Sequence, residues 1–593
     1  MYVIVGLLQL ILAPASVAHA QLQDHCVPQP HQCTLYMAPS TIPNGGLGIF
    51  AGVAMGKGDF LPTEDIAIPL VDLHKHNQVP RGQRLDSILS NYVWSLDAMG
   101  MDREAPHGSA IVPGVHAAAN SLPAMINVEA ELPMHSPNRG NNRSRHPTAG
   151  AMTHFAGIRT FATRDIPQGG ELFVHYGDSW FTSRNMTNVP LQTDLKTVRQ
   201  LMIDFGNVTE AHTAGLQRDL WALIISMPFS SVITSVFPDD VGRVSSIIEN
   251  GDLGLLFQAN ARASIEYLEH NGICLDTIQP QQSTIPGAGF GAFATRSFAQ
   301  GGIIISSPVL HIRNFSSLQM YEKTWSESGK WKPSNVVESH QLLVNYCFGH
   351  VNTTMMLCPY ASGVNYLNHN RSKANVRVQW STDGRLSHNQ TIVTLSPNDI
   401  PVDKVGLALD YIALRDINAG EELFLHAGTA WEEAWQIHVE LWDADDDTHD
   451  EELASTLLNE RQDPLRTRDE QRINPYPHHE LHCHESLLVD YFNWRSIVIR
   501  EDLWAAGGRD GIRCNILRRY ANQEGELVYD VNFFEDENDM EVQNRNVPRN
   551  AFYFVERYYS SDMHSTRAFR YPYQIPDDMM PLAWMKESTE IFE

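Results

Sequence analysis

Residues 283–294 read STIPGAGFGAFA, and residues 40–51 read STIPNGGLGIFA. Each stretch sets glycines at alternate positions behind a proline and closes on a short apolar run. A single turn of this kind needs only residues that tolerate positive φ. Finding it twice with the same lead-in indicates a repeated unit. A second pair agrees: FATRDIPQGGELFVHYGDSW at 161–180 aligns with IALRDINAGEELFLHAGTAW at 412–431, in the same order and at similar spacing. The two units are expected over 36–182 and 279–435.

Within each unit the pattern is that of strands. GIIISSPVLHI (302–312) and VRVQWS (376–381) are short and β-branched, and in DINAGEELFLHAG a glycine turn precedes a brief apolar strand. Between the units, LKTVRQLMIDFG, LQRDLWALIISM and VSSIIENGDLGLLFQANARASIEYLEH repeat apolar residues at i, i+3, i+4 and i+7. This predicts a helical connector over 183–275. WEEAWQIHVELW continues as a helix into an acidic linker at 436–480, whose run DADDDTHDEE lacks the spacing of a calcium loop. From 485 to 593 the segments GIRCNILRRYA, ELVYDVNFFED and NAFYFVERYY alternate as a small sheet or barrel would. AFRYPYQIPDDMMPLAW is too rich in proline for a long helix.

The composition narrows the function. With 593 residues, 43% hydrophobic, and 12 Trp, 23 Phe and 19 Tyr, the chain can bury several cores. A net charge of −27 without a basic run argues against direct contact with nucleic acid. MYVIVGLLQLILAPASVAHA (1–20) has the layout of a secretory signal peptide, although no Lys or Arg precedes its apolar run. No later stretch is long enough to span a membrane. Sequons begin at Asn142, Asn185, Asn207, Asn314, Asn352, Asn370 and Asn389, which agrees with a secreted or endomembrane-lumen glycoprotein. The seven cysteines include no CxxC, so no structural metal is inferred. Cys26 with Cys33 and Cys347 with Cys358 are close enough in sequence to pair, and an odd count leaves a thiol over.

The opening IPGAGFGAFA, the central YLNHNRSKANVRVQW (366–380) and the closing RDINAGEELFLHAG together resemble the SET domain of S-adenosylmethionine-dependent protein-lysine methyltransferases. The resemblance covers about half of the chain. It implies an α+β protein of two β-rich SET domains of the β-clip type, joined by a helical connector and followed by a small β-rich C-terminal domain. The cofactor it implies is S-adenosylmethionine and the partner a protein substrate. It places cofactor contacts at Gly46, Gly48 and Asn120 in the first unit and at Gly289, Gly291, Asn368 and His369 in the second. Where the second unit has His369, the first has Ser121. The family's channel tyrosine falls on Tyr176 in the first unit, but the second has Ala427 there. A hydroxyl at that point orients amine and methyl, and alanine offers none. Tyr92, Tyr346 and Tyr366 are the candidate substitutes. The two losses leave open a degenerate pair that serves as a luminal binding or scaffold protein.

Two further clusters carry residues with possible chemistry. PHHELHCHE (477–485) gathers possible metal ligands but has no second cluster at finger-like spacing, and reads as a polar loop. The aromatic tail resembles a Tudor-like or SH3-like barrel, in which a cage for a methylated ammonium or a plain core would both use these side chains. A luminal hydrolase finds no GxSxG or HExxH.

Overall fold

A computed structural model describes residues 33–585 except 71–90, 96–108, 132–146, 187–188, 251–259, 326–330, 387–388, 402–405, 443–457, 460, 462, 475, 477–478, 485–510, 536–539, 557–562 and 564. The expected signal peptide, Cys26, the sequon at Asn142 and the acidic run lie outside these residues. The chain is a strand-rich α+β protein with curled sheets.

Each glycine stretch is the turn of a β-hairpin. Leu35–Pro39 pairs with Leu47–Ala51, and Ile278–Gln282 pairs with Phe290–Ala294, antiparallel along their whole lengths. Both turns close in the same way: Ser40 N–H donates to Gly46 O at 2.9 Å, and Ser283 N–H to Gly289 O at 2.9 Å. The first hairpin belongs to a four-stranded sheet with Glu171–Leu172 and Ile273–Cys274. Beside it stands a five-stranded sheet around Phe60–Leu70 and Phe155–Ala162. The second hairpin opens a larger sheet that runs through Glu422–Leu425, Val376–Trp380, Leu407–Ala413, Ile303–Ile312, Met356–Pro359 and Phe348–Gly349. One apolar core runs through both units. Ile68, Val115 and Phe155 of the first are continuous with Val309, Leu357 and Tyr411 of the second.

The segment between the units folds as the apolar spacing predicts. In the helix Gln192–Thr209 the buried residues are Leu195, Val198, Met202, Phe205 and Thr209, a single stripe. It packs with Ala214–Ile225 and Val241–Asn250 around Trp221, whose indole N–H donates to Pro238 O at 2.9 Å. Among the described residues no helix is long and apolar enough to cross a membrane.

The C-terminal region differs from expectation at both ends. PHHELHCHE is not a polar loop: His479–His484 is a strand in a five-stranded sheet, held between Gly511–Ala521 and Phe552–Glu556. Alternation explains this, since His479, Leu481 and Cys483 all face the core. At the other end, the proline-rich segment leaves that sheet altogether. Tyr573–Gln574 adds a parallel strand to Phe348–Gly349 of the second unit, and Ile575, Met579 and Trp584 complete the second unit's core.

Cys347 and Cys358 form a disulfide, as their spacing allows, and Cys483 pairs with Cys514. Cys33 is bonded to Cys274, 241 residues away, and not to Cys26. The strand Ile273–Cys274 lies against Leu35–Pro39, so the sheet brings the two sulfurs together where sequence distance does not. A cross-link closing so long a loop restricts the unfolded chain by about 3–5 kcal/mol. Replacing both Cys33 and Cys274 by serine is expected to lower stability by that order, read as a lower thermal midpoint. An unchanged melt would show that the bond carries no stabilisation.

Candidate active site

Alternation along Glu422–Leu425 turns the Glu422 side chain toward the second hairpin, where it is 5% exposed. Its carboxylate accepts from Ser283 Oγ at 2.7 Å, Thr284 N at 2.8 Å and Thr284 Oγ1 at 2.5 Å. Glu171 does the same in the first unit, accepting from Ser40 Oγ at 2.6 Å, Thr41 N at 2.7 Å and Thr41 Oγ1. These two carboxylates explain one glycine of each stretch. A Cβ on Gly291 would stand 2.2 Å from Glu422 Oε1, and one on Gly48 would stand 2.2 Å from Glu171 Oε1. What comes close to the backbone at these positions is therefore a buried side chain of the same unit.

Gly46 and Gly289 differ from them. Their φ values are +69° and +67°, the left-handed region. A Cβ on Gly46 would meet nothing within 4 Å, and one on Gly289 would touch only the end of Met152, at 4.0 Å. Their bared backbone faces open space.

The Asn-His pair is built onto the turn. Asn368 Nδ2 donates to Phe290 O at 3.0 Å and Ser283 Oγ at 3.2 Å, and Asn120 Nδ2 donates to Leu47 O at 2.9 Å. His369 Nδ1 accepts from Ala427 N at 3.0 Å, while its Nε2 lies 3.4 Å from Glu432 Oε1. Burial holds His369 below the ordinary imidazole range, with Glu432 opposing that shift. In the first unit Ser121 Oγ takes over the acceptor role, receiving Tyr176 N–H at 3.4 Å. The missing histidine is thus replaced by a group that keeps the same backbone bond.

Gly289, Asn368 and His369 line a cavity of about 730 Å³. Tyr366, Tyr411, Trp431 and Tyr573 form aromatic walls. The remaining wall belongs to the first unit, whose loop 148–154 reaches across. The C-terminal segment and the second unit grip this loop: Arg570 Nη1 donates to Gly150 O at 2.6 Å and Asn345 Nδ2 to Ala151 O at 2.9 Å. Tyr346 and Tyr366 share that task. Thr153 N–H donates to Tyr346 Oη at 2.8 Å, Gly157 N–H donates to Tyr366 Oη at 3.1 Å, and Tyr366 Oη donates to Asp65 O at 3.0 Å. Tyr92 lies near Tyr360, with ring centroids 5.4 Å apart.

Sequence reasoning missed Tyr573, Trp431 and Met152 as cavity residues. The only available signal for Tyr573 was an aromatic, proline-rich segment with no pattern of its own. Burial raises the hydroxyls of Tyr366, Tyr411 and Tyr573 far above the ordinary phenol range, and that of Tyr346 to about 12. All four are therefore protonated at neutral pH.

A family model for the SET domain matches residues 289–426. The match spans under a quarter of the chain, and this SET-domain segment supplies Gly289, Asn368 and His369 to the cavity. No curated protein matches the chain. Among solved structures it is similar to a Plasmodium falciparum protein assigned as a histone methyltransferase, with 19% identity over 26% of this chain and 96% of that one, at TM-score 0.16. It is also similar to a Chaetomium thermophilum Polycomb Repressive Complex 2 chain in an autoinhibited conformation bound to S-adenosylmethionine. That likeness has 16% identity over 26% of this chain and 17% of that one, at TM-score 0.16, so less than a fifth of the Polycomb chain is spanned.

Two measurements check the site's construction. Gly291→Ala forces Glu422 off its three donors and is expected to cost roughly 2–3 kcal/mol. Gly48→Ala does the same at Glu171, and an unaltered thermal melt in both would refute the clamp. Separately, burial and the neighbouring Arg570 hold His340 down at about 4. The unfolded chain protonates this group first, so its contribution is complete above pH 6.5 and lost as pH falls toward 4, by about 3 kcal/mol. His340→Gln is expected to flatten the fall of the melting temperature across that window, and an unchanged slope would contradict the assignment.

Proposed function

We propose that the second unit, 279–435, together with the returning C-terminal segment, is the site of an S-adenosylmethionine-dependent protein-lysine N-methyltransferase. The first unit, 36–182, is in this reading a second and degenerate SET domain, supported by its repeated turn, carboxylate clamp and Asn120 bonds. The observation that carries the proposal is the cavity between the Gly289 turn and the Asn368–His369 pair, with Gly289, Asn368 and His369 all in the segment that matches the SET model.

The residues fit the cofactor. Side chains are absent at Gly287 and Gly289, the Trp431 ring forms a flat wall, and the volume is in the range of small-molecule sites. Gly287, Gly289, Asn368 and His369 would hold it. When bound, S-adenosylmethionine supplies an electrophilic methyl group, which a lysine amine takes as the carbon–sulfur bond breaks and its electron pair stays on sulfur. This chain's residues position the amine and exclude water. None of the buried tyrosines is ionised near neutral pH, so they orient without removing a proton. The lysine loses its proton to solvent before the transfer.

A secretory location is part of the proposal, supported by the leader-like N-terminus and by three disulfides among the described residues. The rival reading, a binding or scaffold protein, is favoured by Ala427 and by the engagement of Tyr346 and Tyr366 with the first unit's backbone.

Calorimetric titration of the full chain with S-adenosylmethionine separates the two. The enzyme reading predicts saturable heat and at least about tenfold weaker binding for Asn368→Ala. No heat and no thermal shift at millimolar ligand would favour the scaffold. If transfer occurs, its rate is expected to rise about tenfold per pH unit from 7 to 9, because the neutral amine of a lysine with ordinary pKa is the reactant. A flat profile would contradict solvent deprotonation.

A further inference from the structure

The chain contains its own comparison for the tyrosine missing at Ala427. In the first unit Tyr176, one residue before Gly177, donates its hydroxyl to Ala119 O at 2.8 Å, and Ala119 directly precedes Asn120. In the second unit the residue that directly precedes Asn368 is Leu367. Its carbonyl accepts a phenol hydroxyl at 2.9 Å, and that phenol is Tyr573, 206 positions later in the sequence. The same position beside the Asn of each unit is therefore held by a tyrosine hydroxyl, delivered by two different routes.

The backbone explains the second route. Gln574 N–H donates to Ala427 O at 2.7 Å and Tyr573 N–H to Cys347 O at 2.9 Å, which fixes the returning strand beside the vacated position. Gly428 has no side chain, and a Cβ there would lie 2.3 Å from Gln574 Cβ. Tyr573 is packed parallel to Trp431 at 6.4 Å and against Phe348 at 5.7 Å, and it borders the cavity. Tyr346 and Tyr366 are poorer substitutes, because each hydroxyl already receives a backbone N–H from the first unit.

We infer that Tyr573 is the channel tyrosine of the second unit, supplied in place of residue 427 by the C-terminal segment. The inference rests on the methyltransferase reading above. With its O–H donated in a hydrogen bond to Leu367 O, the Tyr573 oxygen accepts an N–H of the incoming amine. That bond leaves the nitrogen lone pair to face the methyl carbon. The C-terminal segment is then part of the active site and not a separate module, and an Ala at 427 is no sign of lost activity.

The test uses the full chain with tritiated S-adenosylmethionine and a pool of lysine-containing peptides, alongside calorimetry. Tyr573→Phe is expected to lower turnover at least about fiftyfold while leaving cofactor affinity within about threefold. The exchange Ala427→Tyr with Tyr573→Ala is expected to recover at least roughly tenfold over Tyr573→Ala alone, an effect that packing alone does not produce. Wild-type turnover in Tyr573→Phe would overturn the inference and leave the methyltransferase reading standing. If the unaltered chain neither binds the cofactor nor transfers the methyl group, that reading falls and the inference falls with it. Phenylalanine keeps the ring, and a thermal melt of each variant identifies any that fails to fold.

Discussion

A buried carboxylate clasped by the head of a glycine turn is the constraint on which each unit depends. Glu422 and Glu171 are 5% and 1% exposed, and a carboxylate so placed needs hydrogen-bond donors to offset its lost hydration. Ser283 and Thr284, or Ser40 and Thr41, supply them. The carboxylate in turn needs room, which only glycine at 291 or 48 leaves. With the turn fixed, its carbonyls are positioned to receive Asn368 or Asn120, and the Asn strand is set beside the closing strand. Backbone–side-chain bonds reinforce this, with Asn375 Nδ2 donating to Glu422 O at 2.8 Å and Asn127 Nδ2 to Glu171 O at 2.8 Å.

The cavity is not the property of one stretch of chain. The turn and the Asn-His pair supply its floor, the first unit's loop one wall, and the C-terminal strand another. Arg570 joins the last two, bonding to His340 O at 3.1 Å as well as to Gly150 O, so the three parts are mechanically coupled. Such an arrangement gives the first unit a role that does not require a site of its own. It also accounts for tyrosines at 346 and 366 whose hydroxyls serve the contact between units.

Local chemistry was legible in the sequence, and long-range closure was not. The glycine turns, the helix Gln192–Thr209 and the Cys347–Cys358 pair follow from residues that are near one another in the chain. The reason for Gly291 was hidden, because its partner Glu422 lies 131 positions away and looks like any strand glutamate. Cys33 has Cys26 close by in sequence, and only the sheet reveals Cys274. His479–His484 reads as polar until the strand buries alternate side chains. Tyr573 stands in an aromatic, proline-rich segment with no pattern of its own, because its meaning comes from the place to which the chain returns.

The most direct test of the account is where the cofactor sits. Ultraviolet cross-linking of the full chain with tritiated S-adenosylmethionine, followed by peptide mapping, reads this without knowing the substrate. The account predicts label on peptides spanning 285–290 or 366–369, quenched by excess unlabelled cofactor. Label confined to the first unit's turn at 40–51, or none that excess cofactor can displace, would contradict it.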